Sequence, residues 1–374
     1  MDTGPLLIFY VAAGGGHRSA ANAIAEQARA RGKNVEVIDA FSLAPRWFSG
    51  LYTGTFFFGA QHVPSLYGTT FARTNRPDAR RDQLRDRFDR IIARELVRYV
   101  KERRPSMVIS THFAPLVALG RMRRTSELEA PVVAVVTDYV THALWCVAGV
   151  DLYCTAPGRA ALDLCGHGAR SSTLVPTGIP VRSAFGDAPR WKAPAPLQPL
   201  RVLVTVGGFG VGPVIDVLRG FRGVTGVEID VVCGDRPELV EEARAYAAQH
   251  SLNAVVTGFA NDMPRRMSEA HVVIGKPGGL TVSECLAAGR PMVLVGACPG
   301  QETGNQHLLS HHGAAVACEP RDAGRNIQRL LEANKLARMA RRAAKLGIPD
   351  AASQVLDAAD RIVSRPTNAE LFAG

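Results

Sequence analysis

The 374-residue sequence has no apolar run of the roughly 20 residues that a bilayer-spanning helix needs. Its apolar beginning, PLLIFYVAAGGG, lacks a basic lead and runs into glycines, so we expect a buried first strand rather than a signal peptide. The seven cysteines form no CxxC pair, which disfavours a disulfide framework or a zinc site and favours reduced cytosolic thiols. Zinc-finger spacing and single-strand stacking motifs are also missing, so nucleic acid is not an expected partner.

Positive charge exceeds negative charge, and the excess is concentrated in the first half. The net charge is +10, with 23 Lys and Arg against 15 Asp and Glu through residue 186, and 21 against 19 in the remainder. Such a first half suits an anionic lipid surface or phosphate groups. The hydrophobic fraction of 47% and the charged fraction of 21% are typical of a globular protein.

Buried strand patterns alternate with helical patterns along nearly the whole chain. This alternation predicts an α/β protein made of two doubly wound, Rossmann-like domains that face each other across a cleft. Ligands of such sheets bind at the carboxyl ends of the strands. The predicted strands are PLLIFYV, NVEVIDA, SMVIST and PVVAVVTD in the first half, and RVLVTVGG, VEIDVVCG, AVVTGF, HVVIGK, PMVLVG and AAVACE in the second.

Composition also suggests where the domains end. An amphipathic helix is predicted over 78–104, and the proline-rich segment 187–199 is predicted to be an interdomain linker. We therefore expect one domain over 1–186 and a second over 200–348, followed by a helix and tail over 349–374.

The most informative stretch is 276–305, KPGGLTVSECLAAGRPMVLVGACPGQETGN. Its glycine turn, Gly278 and Gly279, lies between a strand and a helix and predicts a phosphate site, to which Lys276 can contribute charge. Glu284 on that helix is placed to bind the two hydroxyls of a ribose. The later polar cluster is suited to hold a sugar, so the order of groups fits a nucleotide-sugar; the cluster consists of Gln301, Glu302 and Asn305.

Two further glycine turns follow strands. In GGGHRSA, Gly14, Gly15 and Gly16 predict backbone amides that face a ligand, and His17 is a candidate general base at the helix start. GGFGVGP departs from the dinucleotide fingerprint at Pro213 and has no Walker lysine. We interpret it either as a tight structural turn or as a second phosphate loop, formed by Gly207, Gly208, Phe209 and Gly210.

Other polar and aromatic residues near strand ends have open interpretations. Asp138 either orients the histidine base, binds acceptor hydroxyls or caps a helix. His142 and Trp145 either line an acceptor channel or pack in the core. Phe259 either flanks a base ring or packs.

An aromatic stretch covers 46–71. It is suited to insertion into a lipid interface beside basic residues, although a buried helical hairpin is the alternative. Its candidate membrane and acceptor residues are Trp47, Phe48, Phe56, Phe57 and Phe58.

Several motifs together resemble the monogalactosyldiacylglycerol synthase and processive diacylglycerol glucosyltransferase family, which is similar to glycosyltransferase family 28. The resemblance spans nearly the whole chain and rests on GGGH, TD-x3-H-x2-W, VDLYCTA, TGIPV, GGFGVG, KPGGLTVSE and PGQETGN.

This resemblance implies a GT-B fold and inverting hexose transfer from a UDP-sugar to diacylglycerol or a similar lipid. It also implies no cofactor or essential metal, and peripheral attachment to an anionic membrane at the inner face of the cell membrane. By similarity, His17 is the base, Glu284 binds ribose, the loop from Gly207 to Gly212 binds diphosphate, and the cluster at 301–305 holds donor sugar and phosphate.

Three other functions remain open. One is N-acetylglucosaminyl transfer to a polyprenyl-linked or other hydrophobic acceptor, whose family motifs fit less well. The others are a UDP-sugar epimerase, which would not need the aromatic stretch, and a sugar-nucleotide-binding scaffold protein without turnover.

Overall fold

The structure is a computed structural model that describes residues 4–12, 15–44, 75 and 94–363. The chain falls into two compact units, which change over at 182/183 and at 349/350, with residues 14–16 grouped with the second unit. The candidate membrane residues Trp47, Phe48 and Phe56–Phe58 lie outside the described residues, as does most of the helix predicted over 78–104. Of that helix, the structure describes 94–103.

The first unit contains a parallel six-stranded sheet in the order β2-β1-β3-β4-β5-β6. Leu6 of β1 pairs with Val35 on one side and Met107 on the other, so strand order reverses between β1 and β3. The strands are β1 (Leu6–Tyr10), β2 (Val35–Asp39), β3 (Met107–Ser110), β4 (Val132–Val135), β5 (Leu152–Cys154) and β6 (Leu174–Val175). The helices are α1 (Gly15–Ala30), α2 (94–103), α3 (Phe113–Arg124) and α4 (Arg159–Gly166), with a short 3-10 helix at Ala143–Trp145.

The second unit contains another parallel six-stranded sheet, in the order β12-β11-β10-β7-β8-β9, which reverses between β7 and β10. Its strands are β7 (Leu200–Thr205), β8 (Val227–Val232), β9 (Ala254–Thr257), β10 (Val272–Gly275), β11 (Met292–Leu294) and β12 (Ala315–Ala317). The helices are α5 (Val214–Arg219), α6 (Pro237–Gln249), α7 (Met263–Glu269), α8 (Gly279–Ala287), α9 (Gln301–His311), α10 (Ala323–Glu332) and α11 (Lys335–Leu346). The last described helix, α12 (Ala351–Val363), belongs to the first unit.

Both sheets are covered by helices, which explains why their central strands are almost uninterrupted runs of Val, Ile and Leu. All four residues of β3, β4 and β10 are buried. The two doubly wound α/β units predicted from the alternation of patterns are therefore confirmed.

Two segments that the sequence analysis assigned to neither domain each lie in one of the units. The proline-rich segment 187–199 lies within the second unit, where Trp191 donates its indole N–H to the His271 carbonyl at 2.7 Å. The buried Arg290 guanidinium also donates to the carbonyls of Pro189 and Ser268, at 3.0 and 2.6 Å. These hydrogen bonds attach the proline-rich segment to the second unit.

The C-terminal helix α12 returns to the first unit. Val355, Leu356, Ala358 and Ala359 join the same buried cluster as Leu6, Ile8, Ile24 and Ile109, so the apolar face of α12 completes one layer of the first unit. Lys33 and Arg31 of the first unit pair with Asp360 and Asp357 on its exposed side.

We predict that Leu356→Ala destabilises the first unit by about 2–5 kcal/mol, because it leaves a cavity in the buried cluster that α12 shares with the first sheet. Asp357→Ala is the matched control; it removes a solvent-exposed ion pair and should cost less than about 1 kcal/mol. Differential scanning calorimetry checks both variants. Equal melting temperatures for the two would show that α12 does not carry this packing.

Candidate functional site

In the first unit, polar side chains gather where the strand order reverses. His17 lies in the first turn of α1, just after β1, while Thr111 and His112 follow β3 and Thr137 follows β4. The carboxyl edge at such a switch point is where open α/β sheets bind ligands. Gly15 and Gly16, predicted to form a phosphate loop, begin α1, and Gly14 lies outside the described residues.

The imidazole of His17 is held in one tautomer. Its Nδ1 lies 2.7 Å from the carbonyl oxygen of Thr111, which can only accept a hydrogen bond. Nδ1 must therefore carry the proton, and Nε2 of the neutral ring keeps a free lone pair. The Thr111 hydroxyl donates back to the His17 carbonyl at 2.9 Å, and the Thr137 hydroxyl lies 3.1 Å from Nδ1.

Burial keeps this imidazole neutral. Desolvation lowers the pKa of His17 from 6.5 to about 4, although the hydrogen bond to Thr111 opposes the shift. A neutral, half-buried histidine with a free Nε2 has the protonation state that a general base requires at neutral pH.

A second histidine, His112, lies beside the first. The ring centroids of His17 and His112 are 4.6 Å apart and the rings are nearly perpendicular, at 83°. His112 is 3% exposed, and its Nδ1 accepts the backbone N–H of Ala114 at 3.1 Å as the N-cap of α3. Burial and, to a smaller degree, His17 lower its pKa well below 6.5.

Three residues from the motif at 137–145 are placed differently from one another. Asp138 is half-buried and directly follows Thr137, whose hydroxyl lies 3.1 Å from His17 Nδ1, and its role stays a prediction. His142 is buried and accepts the Leu144 N–H at 3.1 Å as the cap of the 3-10 helix. Trp145 is 1% exposed and packs in the core with Phe113, so packing rather than an acceptor channel describes it.

In the second unit, the loop 207–212 follows β7 at the other switch point. Gly210 has φ +66°, and a Cβ there would lie 2.4 Å from the Cys233 carbonyl, so only glycine fits. The Gly208 carbonyl accepts the Asp235 N–H at 2.9 Å, which fixes the loop against the turn after β8. The loop is thus held against the residues that follow β8.

Two helices begin at this edge with glycine at the N-cap. Gly278 precedes α8 and Gly300 precedes α9, and in the described structure neither helix has a side-chain cap. A Cβ at Gly278 would meet no described atom within 4 Å, so the first turn of α8 is open to a ligand. Uncapped N–H groups and helix dipoles of this kind bind phosphate.

The predicted donor residues Lys276 and Glu302 pair with each other. Lys276 Nζ lies 3.0 Å from Glu302 Oε1, and Glu302 Oε2 accepts the Cys298 N–H at 2.8 Å. Burial alone would lower the pKa of Lys276, but the Glu302 carboxylate outweighs it and raises that pKa. Glycine at position 212 lies beside the lysine stem, since a Cβ there would be 3.6 Å from Lys276 Cδ. The pair therefore places a cation next to the glycine loop.

The remaining predicted donor residues lie on the same helices. Glu284 is half-buried on α8, and Gln301 is half-buried at the start of α9. Asn305 is fully buried and donates to the Pro277 carbonyl at 2.9 Å, so its amide supports the turn before α8. This contact gives Asn305 a structural function in the turn before α8.

Aromatic residues flank the loop 207–212. Phe259 is 51% exposed, and a Cβ at Gly208 would lie 3.6 Å from its ring. Phe209 is 36% exposed in the same loop. Of the two interpretations of Phe259, a ring available to flank a base agrees with this exposure better than core packing.

Sequence reasoning missed the residues that hold His17. Thr111, His112 and Thr137 were not singled out, although Thr111 ends the predicted strand SMVIST and His112 directly follows it. The same argument from strand ends that selected His17 applies to His112. The contact of Thr111 is made by its backbone carbonyl, which no side-chain pattern reveals.

A membrane-spanning helix and a metal-binding cluster are both absent from the described part of the chain. It contains no helix long and apolar enough to span a membrane. It also contains no group of three or more His, Cys, Asp or Glu side chains arranged to hold a metal ion. All seven cysteines are free thiols.

Two family models together match most of the chain. The model of monogalactosyldiacylglycerol (MGDG) synthase matches residues 17–181, and that of the glycosyltransferase family 28 C-terminal domain matches residues 202–361. The chain therefore combines a monogalactosyldiacylglycerol synthase region with a glycosyltransferase family 28 C-terminal domain. The resemblance found from the motifs is confirmed, and the protein is a hexosyltransferase.

Curated relatives agree with this family. The chain is 28% identical over 263 residues to a processive diacylglycerol beta-glucosyltransferase of Bacillus cereus (strain B4264), covering 68% of this chain and 67% of the relative. An enzyme of the same name from Bacillus cytotoxicus is 29% identical over 262 residues, with 68% and 67% covered.

Solved structures share the fold. MurG of Acinetobacter baumannii superimposes with a TM-score of 0.65 at 20% identity, covering 96% of this chain and 99% of MurG. The UDP-GlcNAc 2-epimerase of Neisseria meningitidis, bound to UDP-GlcNAc, gives a TM-score of 0.60 at 12% identity, covering 95% and 99%. At these identities the likeness shows the fold alone, and the predicted GT-B fold is confirmed.

We predict that Lys276 and Glu302 are energetically coupled. Lys276→Met and Glu302→Gln each break the pair. The loss of unfolding free energy in the double variant should therefore be about 1 kcal/mol smaller than the sum of the two single losses. For a unit of this size that difference is roughly 2–4 °C in melting temperature. Additive decrements in calorimetry would show that the pair contributes no coupling.

Proposed function

We propose that this protein transfers a hexose from a UDP-sugar to the hydroxyl of diacylglycerol or a similar lipid, with inversion and without an essential metal. The observation that carries the proposal is His17, held with a free Nε2 at the ligand edge of the unit that the monogalactosyldiacylglycerol synthase model matches. The names of the relatives, which act on diacylglycerol, support the acceptor. Their names also support glucose as a donor sugar.

The proposed reaction is a direct displacement. Nε2 of His17 takes the proton of the lipid hydroxyl as its oxygen forms a bond to the sugar C1. The bond between C1 and the phosphate oxygen breaks, and its electron pair leaves with UDP. Amides at the N-termini of α8 and α9, the loop 207–212 and Lys276 stabilise the departing diphosphate, so charge stabilisation comes from the protein.

The remaining donor contacts follow from the same assignment. Glu284 accepts hydrogen bonds from the ribose hydroxyls, Phe259 flanks the uracil, and Gln301 and Glu302 bind the sugar. We also propose peripheral attachment to the inner face of the cell membrane, because the acceptor is a membrane lipid and the net charge of +10 favours an anionic surface.

The direct test is incubation with UDP-glucose or UDP-galactose and diacylglycerol liposomes, followed by mass spectrometry of the lipids. The expected product is a hexosyl-diacylglycerol and an equal amount of UDP. Interconversion of UDP-sugars without a glycolipid would instead indicate an epimerase. UDP binding without turnover on lipid would indicate a binding protein, and either result would overturn the proposal.

For His17→Ala we predict that kcat falls by a factor of about 10² or more, which is the contribution that a general base typically makes. The affinity for UDP should be unchanged. In the wild type, kcat/KM should stay flat between roughly pH 6 and 8 and fall only as the pH approaches 4, where His17 becomes protonated. Undiminished turnover in the variant, or an acid limb near pH 6.5, the ordinary pKa of histidine, would rule out a buried neutral base.

For Glu284→Ala we predict UDP affinity weaker by roughly 10- to 100-fold, because a charged hydrogen-bond acceptor is worth about 1.5–3 kcal/mol. Glu269→Ala is the matched control, since Glu269 is an exposed acid of the same unit that pairs with Arg265. Isothermal titration calorimetry measures both variants. Equal affinities would remove the ribose role of Glu284.

A further inference from the structure

Two neighbouring histidines in the first unit present opposite hydrogen-bonding groups. Nδ1 of His17 faces the Thr111 carbonyl and carries a proton, whereas Nδ1 of His112 accepts the Ala114 N–H and carries none. In the neutral rings, Nε2 of His17 is therefore an acceptor, and Nε2 of His112 is an N–H donor. Each ring turns its Nδ1 to the backbone and leaves its Nε2 for a ligand.

The geometry points to His112 as an acceptor-binding residue. We propose that its Nε2–H donates to the oxygen of the lipid hydroxyl while that hydroxyl donates its hydrogen to Nε2 of His17. The ring centroids, 4.6 Å apart, place both imidazoles within reach of one small polar group. The assignment rests on the proposed function, because it concerns the hydroxyl that His17 deprotonates.

Such an arrangement has a definite chemical effect. A hydroxyl that accepts one hydrogen bond and donates another is fixed in direction, with a lone pair left to attack the sugar C1. The proton passes to His17, and His112 keeps its own proton throughout. Because His112 is buried and neutral, it adds no positive charge that would oppose protonation of His17.

The alternative is that His112 is only a helix cap. Its Nδ1 does cap α3, but Asn, Asp and Ser are the preferred N-cap residues, and none of them needs a ring. The ring is also held in place by stacking on Phe113, with centroids 4.3 Å apart, and by a bond from the Ser110 hydroxyl to the His112 carbonyl at 2.7 Å. This fixed orientation suits a directed donor.

Two substitutions separate the cap from the donor. His112→Asn keeps an N-cap oxygen but shortens the side chain, so it loses the Nε2–H, whereas His112→Ala loses both. The assay uses soluble dioctanoylglycerol with the UDP-sugar of highest activity. We expect both variants to lose roughly 10- to 100-fold in kcat/KM for dioctanoylglycerol, while KM for the UDP-sugar is unchanged. His112→Asn should keep the wild-type melting temperature.

Two results would overturn the inference. One is wild-type acceptor kinetics for His112→Asn together with a loss in His112→Ala, which is the behaviour of a cap. The other comes from 15N-labelled wild-type protein, if the Nε2–H signal of His112 does not shift when dioctanoylglycerol is added. If His17→Ala were fully active as well, the proposed function itself would fail. Loss of activity in His17→Ala alone would limit the failure to His112.

Discussion

The hydrogen bond from His17 Nδ1 to the Thr111 carbonyl is the interaction on which the proposed chemistry depends. It joins the first turn of α1, the helix that follows β1, to the residue that follows β3, and the order of the first sheet reverses between β1 and β3. A backbone carbonyl cannot donate, so it fixes the tautomer without adding charge. Many histidine bases are oriented by a carboxylate, which would raise the histidine pKa. Here the partner is neutral and burial dominates, so the imidazole stays uncharged.

In the second unit, backbone amides and a lysine side chain, rather than a histidine, form the candidate site. The first turns of α8 and α9 follow glycine caps without a side-chain cap hydrogen bond and present backbone amides at one edge of the described sheet. Those amides would be poorly satisfied without water or an anion, which is the condition that favours phosphate there. The pair of Lys276 and Glu302 keeps a cation beside this edge, and the carboxylate holds the Cys298 amide and so the loop before α9.

Much of this could be predicted from the sequence, because parallel sheets buried on both faces show as apolar runs. The apolar runs at 6–10 and 272–275 predicted a buried strand in each of the two sheets, and the glycines after strands indicated the candidate phosphate loops. The position of α12 could not be predicted, because an apolar helix face does not indicate which of the two units the helix packs against. The prolines of 187–199 predicted an interdomain linker. In the structure, Trp191 and Arg290 attach this segment to the second unit through hydrogen bonds to backbone carbonyls.

Side-chain roles were harder to predict than positions. Trp145 followed a polar motif and suggested a ligand, yet its size made it part of the core. Asn305 belonged to a predicted sugar cluster, yet its amide satisfies the Pro277 carbonyl. The partner of His17 is a carbonyl brought close by the pairing of β1 with β3, so only the register of the sheet reveals it.

The account is tested most directly by the protonation of the His17 ring in the wild-type protein. Nitrogen-15 NMR of labelled histidine at pH 7, with His17→Gln to assign the signals, distinguishes a protonated from an unprotonated ring nitrogen. We expect a neutral imidazole with the proton on Nδ1 and a bare Nε2. A proton on Nε2, or an imidazolium at pH 7, would contradict the claim that the Thr111 carbonyl prepares His17 as a base.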